Sequence, residues 1–128
     1  MKHFPIFVNL VGQKVLVAGV GETAVAKLRL LLKTQADVHV FGVGAVDQVV
    51  HWADAGRIAL HERSLKAEDC WGARLVYAAQ DDAVLDARVA RIGRAAGALV
   101  NIVDNLQDSM FITPAIVDRD PVTVAIGT

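Results

Sequence analysis

Two periods of apolar residues alternate along this chain. Val15–Ala18, Val38–Phe41, Arg74–Ala79 and Ala98–Val103 are short, mostly apolar runs, too brief for helices, and read as buried strands. Between them the apolar positions recur at helical spacing. Ala24, Leu28, Leu31 and Leu32 follow the first run, and Val84, Leu85, Val89 and Ile92 form the expected inner stripe after the third. Gln80-Asp81-Asp82 caps that later helix and Gly97 ends it; Asp47 caps another through about Ala55, stopped by Gly56. Arg57–Glu62 alternates enough for a further strand. Ser64–Trp71 is polar with a few apolar anchors, enough for one helical turn. Phe4–Leu10 is an apolar lead-in, turned at Val11-Gly12-Gln13.

Strands alternating with helices predict an α/β fold, a Rossmann-like doubly wound parallel sheet with helices on both faces. The rhythm changes near Thr113. Phe111–Val117 and Pro121–Gly127 are two extended stretches joined by Asp118-Arg119-Asp120, which reads as a hairpin. Residues 1–112 are therefore expected to form one domain and 113–128 to begin a second, β-rich unit. The pattern ends in mid-strand at Ile126-Gly127-Thr128, so the chain is expected to be a piece of something longer.

The first strand runs directly into Gly19-Val20-Gly21-Glu22-Thr23-Ala24, a G-x-G-x-x-A string with a helix behind it. Each small residue has a physical use. Gly19 takes the dihedrals of a tight strand-to-helix turn, Gly21 leaves room for a pyrophosphate, and Ala24 lets the helix pack closely. Unpaired amides at the helix start favour an anion. The string alone is a weak signal; strand before and helix after make it a fair one for a dinucleotide, against the plainer reading of a tight βα turn. One feature is missing. An acid to hold the ribose is expected at the end of the second strand, about 20 residues on; here Gly42 stands there, and Asp37 and Asp47 are the nearest acids.

Composition narrows the function classes. The chain has 128 residues, 54% of them hydrophobic, which suits one core-forming unit. A net charge of −1 gives no broad attraction to nucleic acid or an anionic membrane. No apolar run approaches the ~18 residues of a membrane span, and the N-terminus lacks a long apolar signal region. Cys70 is the single cysteine, so no internal disulfide forms, which fits a reducing cytoplasm.

In a sheet of this kind ligands bind past the carboxyl ends of the strands, where strand order reverses. Three loops should emerge there: Gly19–Thr23, Gln80–Asp82 and Asp104–Met110. A dinucleotide across the first two would bring its redox end near Asp104. A carboxylate there is able to accept a proton as hydride leaves. Position alone leaves open whether Asp104 does this or only caps its loop.

Here the sequence resembles a family. Phe4-Pro5-Ile6-Phe7, the glycine string with Lys27 and Leu30-Leu31-Leu32, Asn101-Ile102-Val103-Asp104, and Phe111-Ile112-Thr113-Pro114-Ala115-Ile116-Val117-Asp118-Arg119 are similar, in order, to the N-terminal module of siroheme synthase. That module is the precorrin-2 dehydrogenase/sirohydrochlorin ferrochelatase. The resemblance implies NAD-dependent oxidation of the tetrapyrrole precorrin-2 to sirohydrochlorin and, in many members, insertion of Fe2+ as a second substrate. Asp104 would be the acid/base of both steps. Glu22-Thr23 and Val43-Gly44 match the NAD-contacting pairs beside Gly19 and Gly21, and Asn101 and Lys27 would meet substrate. The resemblance also implies a homodimer formed through the region from about Pro114. The family's other glycine is Val20 here, its arginine is Ala26, and its Ser-Phe is Met110-Phe111. By itself the chain is expected to bind NAD weakly and turn over poorly.

Other residues allow plainer readings. His3, His39, His51 and His61 show no metal-ligand spacing, and no resident metal is expected. His39, inside a strand, is expected to be packed or tethered. Asp81, Asp82 and Asp86 read as a helix cap with surface acids rather than a metal box. Lys27, Arg29 and Lys33 either meet substrate carboxylates or form a solvated helix face. Trp52 and Trp71 read as core or rim anchors. A nucleotide-sensing regulatory domain without catalysis is the rival function class; such domains usually keep the acid after the second strand. A module that keeps the fold without activity is a third class, and retention of Asp104 argues against it.

Overall fold

Strands form where β-branched and aliphatic residues run together, and the connections between them are too long for hairpins, so the strands pair in parallel. The computed structural model, which describes residues 1–127, shows this as β1 (Lys14–Ala18), β2 (Asp37–Phe41), β3 (Ala59–His61), β4 (Ala73–Ala78) and β5 (Leu99–Ile102) in the order β3-β2-β1-β4-β5. All four pairings are parallel. Strand order reverses between β1 and β4, so the crevice at that point is the expected ligand position.

Alternation along each strand splits the core into two layers. Val15, Val17, Val38, Val40 and Tyr77 face α1 (Glu22–Leu31) and α2 (Asp47–Asp54), which contribute Ala24, Leu28, Val49 and Trp52. Leu16, Ala18, Val76 and Val100 face α3 (Ala83–Ala95) and a single 3-10 turn at Ala67–Cys70. Each fully buried aliphatic side chain in these layers is worth about 1.5–3 kcal/mol.

The inner face of α3 differs from the expected stripe. Val84 is 79% exposed and Leu85 48%, while Asp86, Val89, Ala90 and Gly93 face the sheet. The reason is close approach: a Cβ on Gly93 would lie 2.9 Å from Val100 Cγ2, so the small residues set which face docks. Asp82 is the cap, accepting the Val84 and Leu85 amides at 3.0 Å. Asp86, however, is no surface acid. It is buried, and its Oδ1 accepts both the backbone and side-chain N–H of Gln80 at 3.1 Å.

Other boundaries also move. β3 covers Ala59–His61 rather than Arg57–Glu62, because Arg57 N–H is tied to Trp52 O at the end of α2 and Arg63 N–H turns back onto His61 O. Trp52 is buried but Trp71 is exposed, so only the first anchors the core. The last two strands, β6 (Ala115–Arg119) and β7 (Val122–Ile126), form a separate antiparallel hairpin, every residue of which is exposed. Phe111–Pro114 is not part of it. β7 ends at Ile126, before Gly127; the part of the expected strand at Thr128 lies outside the described residues. No helix among the described residues is long and apolar enough to cross a membrane.

His39 is tethered, as its place in a strand implies. Its Nδ1 pairs with His61 Nε2 at 3.0 Å, and its Nε2–H donates to Asp37 Oδ2 at 3.1 Å. His61 stacks between His39 and Phe41, with ring centroids 5.2 and 4.6 Å away. Burial, then the neighbouring His39 and Arg63 charges, lower the His61 pKa below its ordinary 6.5. The unfolded chain therefore binds that proton more readily than the folded one. The stabilisation is full above about pH 6.5 and is lost as pH falls toward the folded value. Asp69 acts in a separate, more acid window: its hydrogen bonds from Arg63 hold its pKa at about 2, so its contribution is lost only as pH falls from 3.8 toward that value. Thermal melts at about pH 7 and pH 5 should show a lower midpoint at the acid pH, and His61→Phe, which can keep the stack without titrating, should shrink the difference.

Candidate active site

The glycine turn is built by forced proximity. Gly19 sits at φ +137°, and a Cβ there would lie 2.1 Å from the carbonyl oxygen of Ala79, at the end of β4. No residue with a side chain fits without moving backbone. Gly19 N–H donates to Phe41 O at 2.9 Å, and Ala79 N–H donates to Ala18 O at 2.8 Å, so the ends of β2, β1 and β4 are drawn together. Gly21, by contrast, has open space where its Cβ would be. It is the N-cap of α1 and provides no side-chain cap, which leaves the first amides of that helix without a side-chain partner. Glu22 is exposed at the helix start, and Thr23 reaches across to Asp81.

The absent ribose acid has a steric cause. At Gly42 the Cβ position is already filled by Val20, whose Cγ1 and Cγ2 would be 2.7 and 2.9 Å away. The chain then arches through Val43 and Gly44, both exposed, and Val46 N–H returns to Val20 O at 3.0 Å. Gly44 has φ +79° and open space around it. These features fit a dinucleotide: uncapped helix amides for the pyrophosphate, and two glycines that let backbone approach closely.

On the other side of the switch point, a crevice of about 270 Å3 brings together Lys27 of α1 with Asn101, Asp104, Ser109, Ile112 and Thr113. Asp104 opens the loop after β5 at φ +62°, an unusual conformation for a residue with a side chain. Its carboxylate accepts no hydrogen bond within the loop among the described residues. Asn105 and Asp108 close that loop instead, at 3.0 and 3.2 Å, so loop capping does not employ Asp104. Asn101 is 7% exposed. Its Nδ2 donates to Phe111 O at 2.8 Å, and its buried Oδ1 has no partner. An unpaired buried acceptor costs about 1–3 kcal/mol, which an incoming donor would recover. Met110 N–H to Val100 O at 2.8 Å, Phe111 edge-on to Tyr77 at 5.5 Å, and the Tyr77 hydroxyl 3.2 Å from Thr113 Oγ1 pin this wall in place.

The basic residues of α1 and the turn after it divide. Lys27 lines the crevice; Arg29 and Lys33 line a separate furrow of about 460 Å3 between α1 and α2. There Arg29 lies over Trp52 at 5.7 Å, and Arg57 donates to Leu32 O at 3.1 Å, capping α1. Two of those cations are thus occupied in packing and capping. Residue pattern placed Asp81 only in the helix cap and marked Val20 only as a departure from the family's glycine. The adjacent acids Asp81 and Asp82 were the available signal, since only one of them can cap α3.

Comparison with known proteins places the chain. Residues 6–115 match the family described as "Putative NAD(P)-binding" (NAD_binding_7), and the chain belongs to that family. It is 41% identical over 128 residues to siroheme synthase of Pseudoalteromonas atlantica, 44% over 128 to that of Methylococcus capsulatus, and 37% over 131 to that of Escherichia coli. All of this chain is covered in each case, but it spans only 27–28% of the length of those relatives. The fold is that of SirC, a precorrin-2 dehydrogenase of known structure, with a TM-score of 0.83 at 23% identity, covering 98% of this chain and 62% of that one.

The two glycines should respond differently to a methyl group. Gly19→Ala should lower unfolding free energy in urea by at least about 2 kcal/mol, because it forces backbone apart at a positive φ. Gly21→Ala should cost less than about 1 kcal/mol but weaken NAD binding roughly tenfold, because the methyl projects where the pyrophosphate must approach.

Proposed function

We propose that this chain is the dehydrogenase module of a siroheme-forming enzyme and oxidises precorrin-2 to sirohydrochlorin. The observation that carries this reading is the shared edge: the glycine turn after β1 and the crevice holding Asp104 after β5 flank the same switch point. The similarity to siroheme synthases over the whole chain supports it.

The residues divide by task. Gly19, Gly21, Glu22, Thr23, Val43 and Gly44 would hold NAD, which supplies the hydride acceptor. Asn101 offers its unpaired Oδ1 to a pyrrole N–H, and Lys27 offers a cation to a substrate carboxylate. Asp104 accepts the proton that leaves as the C–H bond gives up its hydride, so the substrate loses two hydrogens and gains one double bond. With Fe2+ as a further substrate, the same carboxylate would take pyrrole protons as the ion enters the ring, the lyase step. The exposed hairpin β6–β7 supports reading residues from 113 as the start of a homodimer contact, with residues 1–112 as the NAD-binding domain. A cytoplasmic setting fits a chain with one buried thiol, Cys70.

Asp104→Asn keeps the shape of the side chain and tolerates the left-handed backbone. In a single-turnover assay with the chain in excess over precorrin-2 and NAD present, it should slow formation of sirohydrochlorin at least about 100-fold. NAD affinity should stay within about twofold. Wild-type rates in the mutant would remove Asp104 from the chemistry. A wild-type chain that binds NAD yet forms no sirohydrochlorin would instead favour the regulatory reading, in which the dinucleotide is bound but nothing is oxidised.

A further inference from the structure

Three acids follow β4 closely, and the structure gives them three different jobs. Asp82 caps α3 through the Val84 and Leu85 amides. Asp86 is buried beneath the loop and holds Gln80 by two hydrogen bonds. Asp81, the first of the three, is exposed and does neither. It extends across the switch point to Thr23 in the first turn of α1, with both carboxylate oxygens 2.8 Å from the Thr23 hydroxyl.

Two further facts make Asp81 unusual. It sits at φ +55°, and the one other described residue with a side chain at positive φ is Asp104, at the matching place after β5. Thr23 also has a single hydroxyl proton, whereas a carboxylate offers about four acceptor sites. Most of the acceptor capacity of Asp81 is therefore unused, beside the first turn of α1.

We infer that Asp81 positions the dinucleotide by accepting hydrogen bonds from hydroxyls of the ribose farther from the adenine, reached across the cleft from Thr23. The inference rests on the dinucleotide reading above. A carboxylate repels phosphate, so its partner must be a donor-bearing part of the ligand. Strand order decides which part. Adenosine lies toward the β2 end of the switch point, where Val20 excludes an acid, so the second ribose lies toward β4 and Asp81. The acid absent after β2 thus has a counterpart after β4, serving the other sugar. Asp81 is a positioning residue here, and the proton transfer remains with Asp104.

Titration calorimetry with three probes tests this: NAD, ADP-ribose, and ADP, which lacks the second ribose. Asp81→Gly removes the carboxylate and accepts the positive φ without strain; Asp81→Asn keeps one acceptor oxygen. Asp81→Gly should weaken NAD and ADP-ribose about tenfold and leave ADP within about twofold, with Asp81→Asn in between. If all three probes weaken alike, Asp81 merely ties two loops together and the inference is wrong; unchanged NAD affinity overturns it equally. A wild-type chain that binds none of the probes would instead overturn the dinucleotide reading itself, and this inference with it.

Discussion

The structure depends on one contact between backbones. Gly19 passes so close to Ala79 that nothing larger than hydrogen fits between them. That approach joins the end of β1 to the end of β4 at the point where strand order reverses. Everything with chemical potential in the chain is arranged around it. α1 starts three residues beyond the contact with its first amides lacking a side-chain cap, and the β4 loop on the other side carries Asp81. A side chain at Gly19 would push these two loops apart and remove the cleft. The turn thus fixes the geometry of the cleft as well as redirecting the chain.

The second-strand end shows the same economy of space. Val20 stands where the family resemblance led one to expect a glycine, and its isopropyl group fills the Cβ position of Gly42. Two departures from the dinucleotide-binding pattern, a valine in the turn and no acid after β2, are therefore one steric event. On the proposed reading the adenosine side of the cleft is lined by the Val43–Gly44 backbone, while Asp81 and Asp104 stand after β4 and β5.

Much of this was legible from residue pattern. The five strands and three helices follow from period-two and period-3.6 spacing, and the loops at the carboxyl edge follow from their order. The glycine string located the turn. What pattern could not show was close approach. α3 docks through Ala90 and Gly93 because backbone must come near Val100, whereas a hydrophobicity count favours Val84 and Leu85. Asp86 reads as polar and exposed, yet it is buried because the Gln80 amides need an acceptor. Asp81 and Asp82 are indistinguishable by type; only the fold assigns one to the helix cap and the other to the Thr23 hydroxyl. Likewise, Lys27 parts from Arg29 and Lys33 only once α1 is set against its neighbours.

The central claim is that the glycine turn and Asp104 serve one bound ligand. Amide chemical-shift mapping by NMR, with NAD titrated into the labelled chain, tests it most directly. The account predicts shifts at Gly19–Thr23 and Val43–Gly44 that continue through Gln80–Asp82 to the Asn101–Asp104 segment. Shifts confined to the furrow of Arg29, Trp52 and Arg57, or a set that stops at the glycine turn and never reaches β5, would contradict it.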